Sequence, residues 1–141
     1  MREDMVLLVE DNPDDVTLTL EAFRETNFTY EIEVASDGAE ALDFLFGTGK
    51  HGGRDTKLAP LMILLDLNLP KVGGLEVLRR LREHPILRHI FVLVLTSSDD
   101  HQDQAAARNL CTNLYMAKAT NYDGFTTLAR LVQNLLAPPR V

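Results

Sequence analysis

Leu61-Met62-Ile63-Leu64-Leu65-Asp66 decides the fold: five apolar side chains in a row run straight into one acid. A strand with one wet face alternates apolar and polar residues. An unbroken run of this length instead describes a strand covered on both faces, the central place in a parallel sheet. Three more runs share the form. Met5-Val6-Leu7-Leu8-Val9 leads into Glu10-Asp11, Phe91-Val92-Leu93-Val94-Leu95 into Thr96, and Leu114-Tyr115-Met116-Ala117 into Lys118. Tyr30-Glu31-Ile32-Glu33-Val34-Ala35 alternates, as an edge strand does.

Helical spacing fills the intervals. Asn12-Pro13-Asp14 supplies cap and first-turn chemistry, followed by Val16, Leu20 and Phe23. Ser36-Asp37-Gly38 is a turn and cap before Ala41, Leu42, Leu45 and Phe46. Residues 47–60 hold four of the eight glycines and Pro60, and read as a long surface loop. Leu75, Leu78 and Leu81 mark a third helix that stops near Pro85. Ser97-Ser98-Asp99-Asp100 offers N-caps for a fourth, with Ala105-Ala106-Ala107 and Leu110 as its slim apolar face. Phe125, Leu128, Leu131, Val132, Leu135 and Leu136 stripe a fifth, which ends before Pro138-Pro139. Five β-α units imply right-handed crossovers and an α/β, doubly wound, five-stranded parallel sheet. Its expected order is the flavodoxin-like 2-1-3-4-5, with helices on both faces.

At 141 residues, 45% hydrophobic and 25% charged, the chain is sized and composed for one globular domain spanning 1–141, with no output domain expected. Its formal charge of −7 argues against a nucleic-acid grip and against attraction to an anionic membrane surface. The apolar runs are too short to span a bilayer, and no signal peptide is expected before the first strand. Cys111 is alone, so no intramolecular disulfide forms, and a reducing cytoplasm is the expected compartment.

A parallel sheet gathers the carboxyl ends of its strands at one rim, where open α/β folds bind ligands. Glu10, Asp11, Asp66, Thr96 and Lys118 would meet there. Three crowded carboxylates repel one another, and a hard divalent cation with oxygen ligands relieves that conflict. Such a site suits Mg²⁺ and a phosphoryl group, with Asp66 as acceptor. Singly, each residue has a plainer reading: a turn-forming or capping acid, a β-branched strand residue, a solvated lysine. Tyr115 alone reads as a half-buried aromatic. His51, His84, His89 and His101 show no metal-ligand spacing. Gly47-Thr48-Gly49-Lys50 fails as a phosphate loop, because Phe44 and His51 stand where Gly and Ser or Thr are required.

At these residues the chain resembles the response-regulator receiver domain, the CheY-like family of two-component signalling. Leu8-Val9-Glu10-Asp11-Asn12 resembles its acidic pair, and Asp66-Leu67-Asn68-Leu69-Pro70 with Gly74 its phosphoacceptor turn. Thr96-Ser97 and Tyr115-Met116-Ala117-Lys118 resemble its switch and lysine segments. The long loop before the third strand and Leu-Leu-Asp-Leu-Asn-Leu-Pro-Lys further resemble single-domain regulators paired with bacterial phytochrome kinases.

The resemblance implies that Asp66 takes a phosphoryl group from a phosphohistidine on a sensor histidine kinase. It implies Mg²⁺ on Asp11, Asp66 and the Asn68 carbonyl, with Glu10 acting through water. Lys118, Thr96 and the Ser97 N–H would hold the phosphoryl oxygens, and Tyr115 would follow Thr96 inward. It also implies a signalling protein, not a turnover enzyme, and partner contact through the last strand and helix, where the Phe125–Leu136 stripe suggests a homodimer. Two departures stand out. Ala119 replaces the proline usual after the lysine, so either a trans bond with a shifted loop or a strained cis bond is expected, and the lysine could be displaced. Gly73 stands where a polar residue is common. Two alternatives remain open: a haloacid-dehalogenase-type phosphatase, whose general acid would fall at Asn68, and an unphosphorylated pseudo-receiver that only binds partners.

Overall fold

Side-chain parity along three central strands builds two separate apolar layers. The computed structural model describes residues 2–55, 59–96, 101–110 and 113–136. Its strands are β1 (Arg2–Val9), β2 (Glu31–Ala35), β3 (Ala59–Asp66), β4 (Phe91–Thr96) and β5 (Leu114–Ala117). The helices between and after them are α1 (Pro13–Glu25), α2 (Gly38–Phe46), α3 (Gly74–Glu83), α4 (His101–Asn109) and α5 (Tyr122–Leu136). The sheet is parallel throughout, in the order β2-β1-β3-β4-β5. This is the doubly wound, flavodoxin-like arrangement that the apolar runs predict.

Successive residues of a strand point to opposite faces. Met5, Leu7, Val9, Ile63, Leu65, Val92 and Val94 pack with α2, α3 and Ala107 of α4. Val6, Leu8, Met62, Leu64, Leu93 and Leu95 pack with Ala22 and Phe23 of α1 and with Phe125, Leu128, Ala129 and Val132 of α5. Both faces are therefore closed, as an apolar run without alternation requires. β2 keeps Glu31 and Glu33 exposed at the edge.

Local chemistry sets the helix starts. The Asn12 side chain accepts hydrogen bonds from the N–H groups of Asp14 and Asp15, with Pro13 in the first turn of α1. Asp37 caps α2 by accepting from the Glu40 N–H at 2.7 Å.

Some sequence expectations need correction. Pro60 is not in the preceding loop but inside β3, opposite Glu3, beside an irregularity in the β1–β3 ladder. Proline has no N–H to give a ladder, so an irregular position tolerates it. The loop after α2 also holds a 3₁₀ turn at Gly49–His51. Arg54 lies 4.1 Å above the Phe44 ring and donates to the Phe44 carbonyl. The stripe on α5 needs no correction, being core first as its aliphatic periodicity implies: Phe125, Leu128 and Val132 are buried, leaving Tyr122 and Leu135 as the helix's exposed large apolar residues. The Ser97–Asp100 caps, Cys111 and Pro138-Pro139 lie outside the described residues.

Candidate functional site

Strand register alone brings the predicted residues to one rim. Val9 of β1 lies beside Leu65 of β3, Asp66 beside Leu95 of β4, and Thr96 beside Ala117 of β5. Glu10, Asp66, Thr96 and Lys118 thus end or follow neighbouring strands. The backbone continues these ladders past the strand ends, with Glu10 N–H bonded to Ala35 O, Leu67 N–H to Leu95 O and Lys118 N–H to Thr96 O.

Carboxylate oxygens of Glu10, Asp11 and Asp66 all lie within 4.8 Å of one another. Glu10 and Asp66 are 5% and 3% exposed, so two of these charges sit largely out of water, whereas Asp11 faces solvent. The Lys118 ammonium is the counter-charge. Its Nζ lies 2.7 Å from Glu10 Oε1, 3.0 Å from Asp66 Oδ2 and 3.0 Å from Asp15 Oδ2. Burial by itself would push the ammonium's pKa down, but hydrogen bonds to Glu10, Asp15 and Asp66 outweigh burial and raise it. Burial raises the Glu10 pKa, with the Asp66 charge adding to the rise, against the opposing bonds from Lys118 and the Asn12 N–H.

One ammonium therefore faces more negative charge than it can neutralise. That donor set, hard oxygens with two buried and one open to solvent, fits a divalent cation. Among the described residues no other group of three or more His, Cys, Asp or Glu is placed to hold one.

The turn after Asp66 is shaped by glycine and by charge. Asn68 N–H donates to Asp66 Oδ1 at 3.0 Å, which fixes the carboxylate's orientation. A methyl at Gly74 would lie 2.5 Å from the Asp66 carbonyl oxygen and 2.6 Å from Leu67 Cα, so only glycine lets α3 start against the end of β3. A methyl at Gly38 would meet the Val72 carbonyl oxygen at 1.8 Å, which places the same turn on the start of α2. Lys71 has φ +66°, rare for a residue with a side chain, and its ammonium lies 3.3 Å from Asp37.

Thr96 is buried at the end of β4. Tyr115 packs against the α2–α3–α4 layer, and its hydroxyl is enclosed without a hydrogen-bond partner among the described residues. The Lys118–Ala119 peptide is trans, as is every described bond. Of the two outcomes weighed for Ala119, the trans one holds, and Lys118 still reaches Asp66. Ser97 lies outside the described residues. The sequence reading missed Asp15 altogether. Its signal was an acid three residues after the Asn12 cap, in the turn of α1 that leaves the same rim.

The comparisons fit this geometry. The sequence matches the response regulator receiver domain family over residues 6–134, and the chain belongs to that family. As a member it is a phosphoacceptor signalling domain, with an acidic cluster suited to phospho-aspartate and divalent-metal chemistry, and not a turnover enzyme. It is similar to response regulator Rcp1 of Synechocystis sp., with 36% identity over 131 residues, 93% of this chain and 85% of that protein. The Mn²⁺-bound crystal structure of Rcp1 superposes with a TM-score of 0.83 at 34% identity, covering 93% of this chain and 92% of that one. The bacteriophytochrome response regulator AtBRR gives 0.79 at 39% identity, covering 99% of both chains. The phosphorylated cyanobacterial phytochrome response regulator RcpA gives 0.84 at 32%, covering 94% and 93%. No helix among the described residues is long and apolar enough to cross a membrane.

Proposed function

We propose that the chain is a single receiver domain that accepts a phosphoryl group on Asp66 from a phosphohistidine of a sensor histidine kinase and signals by protein contact. The observation that carries the reading is Lys118 Nζ within 3.0 Å of Asp66 at the edge of the three-acid group. An Asp66 oxygen attacks phosphorus, the P–N bond breaks, and its electron pair leaves with the imidazole. The product is an acyl phosphate. Transfer of this kind depends on positioning and charge stabilisation. Asn68 N–H orients the acceptor carboxylate, and Lys118 offsets the anionic oxygens. Asp11, Asp66 and the Asn68 carbonyl would hold Mg²⁺, with Glu10 acting through water, and the ion would supply further neutralisation of the transferring group. Thr96 and Ser97 would bind phosphoryl oxygens, with Tyr115 moving alongside Thr96.

Likeness to the phytochrome response regulators AtBRR and RcpA supports a phytochrome-type kinase as the donor, and a cytoplasmic setting belongs to the same proposal. A homodimer through β5 and α5 belongs to the same proposal, with Tyr122 and Leu135 as its exposed apolar side chains. Sedimentation showing only monomer removes that part. The phosphatase alternative lacks its acid, since Asn68 occupies the position and its N–H is engaged with Asp66. The assembled acids and lysine weigh against a pseudo-receiver. Acetyl phosphate with Mg²⁺ is expected to add one phosphoryl mass to wild type and none to Asp66→Asn. Wild type that stays unmodified by any phosphodonor overturns the proposal.

A further inference from the structure

We infer that Asp15 is a positioning residue that restrains Lys118, a competing anion that a phosphoryl group on Asp66 must displace before the ammonium can serve it. The inference rests on the function proposed above and concerns the regulation of the same site.

An ammonium has three N–H groups. In Lys118 all three face carboxylates: Glu10 at 2.7 Å, Asp66 at 3.0 Å and Asp15 at 3.0 Å. Each partner comes from a different place in the fold, namely the end of β1, the end of β3 and the first turn of α1. Asp15 is held there by its backbone. Its N–H donates to the Asn12 side chain at 3.3 Å and its carbonyl accepts from the Thr19 hydroxyl at 2.7 Å.

The three anions are not equivalent. Glu10 and Asp66 belong to the group whose oxygens crowd within 4.8 Å, and a divalent cation would share their charge. Asp15 is outside that group, so its charge stays directed at the lysine. On phosphoryl transfer Asp66 exchanges its own charge for that of the phosphoryl oxygens. Asp15 changes nothing and goes on competing for the same donor. It is also the partner most easily returned to water, with its side chain 23% exposed against 6% for Glu10 and 4% for Asp66. Asp15 therefore yields first, at a modest cost. That cost slows phosphorylation without blocking it.

The test measures phosphorylation by acetyl phosphate at saturating Mg²⁺, followed by intact mass, in wild type, Asp15→Asn, Lys118→Gln and the double variant. Urea denaturation confirms that each is folded. Asp15→Asn is expected to speed labelling of the Lys118 protein by up to about fivefold, the upper range for a partly exposed ion pair. In the Lys118→Gln background the same change is expected to have no effect, because the restraint acts through the ammonium. Equal acceleration in both backgrounds would reveal a general field on the anionic donor and overturn the role. Labelling of Asp15→Asn at or below the wild-type rate overturns it too. Wild type that takes up no phosphoryl group overturns the proposed function itself, whereas either result above with a labelled wild type overturns the role of Asp15 alone.

Discussion

Replacing Lys118 with methionine removes the sole cation among the described residues that is bonded to Glu10, Asp15 and Asp66. At separations near 3 Å each contact is attractive by roughly 5 kcal/mol at an effective dielectric of about 20, before desolvation is subtracted. Breaking a fully buried pair from one side costs about 3–5 kcal/mol. The Lys118 side chain keeps 16% exposure, so the stranded acids regain some water and about 2–3 kcal/mol is expected. In a domain of this size that lowers Tm by about 6–9 °C. Divalent cation should reverse the loss. At a hundredfold excess over Kd, binding adds about 2.7 kcal/mol, and the variant gains more at any given Mg²⁺ because no ammonium competes for its acids.

The pH dependence has a definite sign. Burial already raises the Glu10 pKa, and losing Lys118 raises it further. The native variant then holds more protons than the unfolded chain above the ordinary glutamate range, so its stability rises as pH falls toward about 5. Thermal melts of both proteins, in EDTA and in Mg²⁺ at about pH 8 and pH 5.5, measure all of this. A variant as stable as wild type in EDTA at the higher pH refutes the reasoning. So does a Mg²⁺ increment no larger than that of wild type.

Three further outcomes are expected. Gly74→Ala drives a methyl into the backbone of Asp66 and Leu67, which cannot yield as a flexible side chain would. It should cost roughly 1–3 kcal/mol in urea denaturation and slow labelling at Asp66. Asp37→Ala loses the α2 cap and the Lys71 partner, costing about 0.5–2 kcal/mol. Hydrogen bonding from the Glu40 N–H, ahead of the smaller contribution of Lys71, lowers the Asp37 pKa. Its contribution is thus complete above the ordinary aspartate value and is lost as pH falls through the lowered one, so wild type and variant should converge in acid. Gly73→Asp places a capping side chain at φ −68° and ψ 159°, where an added Cβ meets nothing within 4 Å. A gain of a few tenths of a kcal/mol is expected, and a Tm below wild type would contradict it.

Much of this was legible because the central strands are covered on both faces. Apolar runs without alternation reveal β1, β3 and β4, and their last residues then fall on one rim by register. Pro60 reads as loop because proline argues against a strand, and the irregular pairing opposite Glu3 that admits it leaves no local mark. The α5 stripe illustrates a different limit. Periodicity shows that Phe125, Leu128 and Val132 share a face suited to the core, but only the packed structure shows that this face meets β1, β3, β4 and α1. Asp15 escaped for a third reason: one more acid in an acidic first turn reads as a helix-start preference, and its partner lies 103 positions away. The Asp37–Lys71 pair was hidden likewise, since it joins two turns that meet only after folding.

Lys118 follows β5, which has four residues and pairs with β4 alone. Its ammonium nevertheless bonds across β4 to the ends of β3 and β1, strands with which β5 shares no ladder. The side chain thus acts as a strap over the rim, tethering the weakest member of the sheet to its middle. Whatever draws Lys118 away from Glu10 and Asp66 slackens that tether, so amide exchange in residues 114–117 should report the state of carboxylates two and three strands inward.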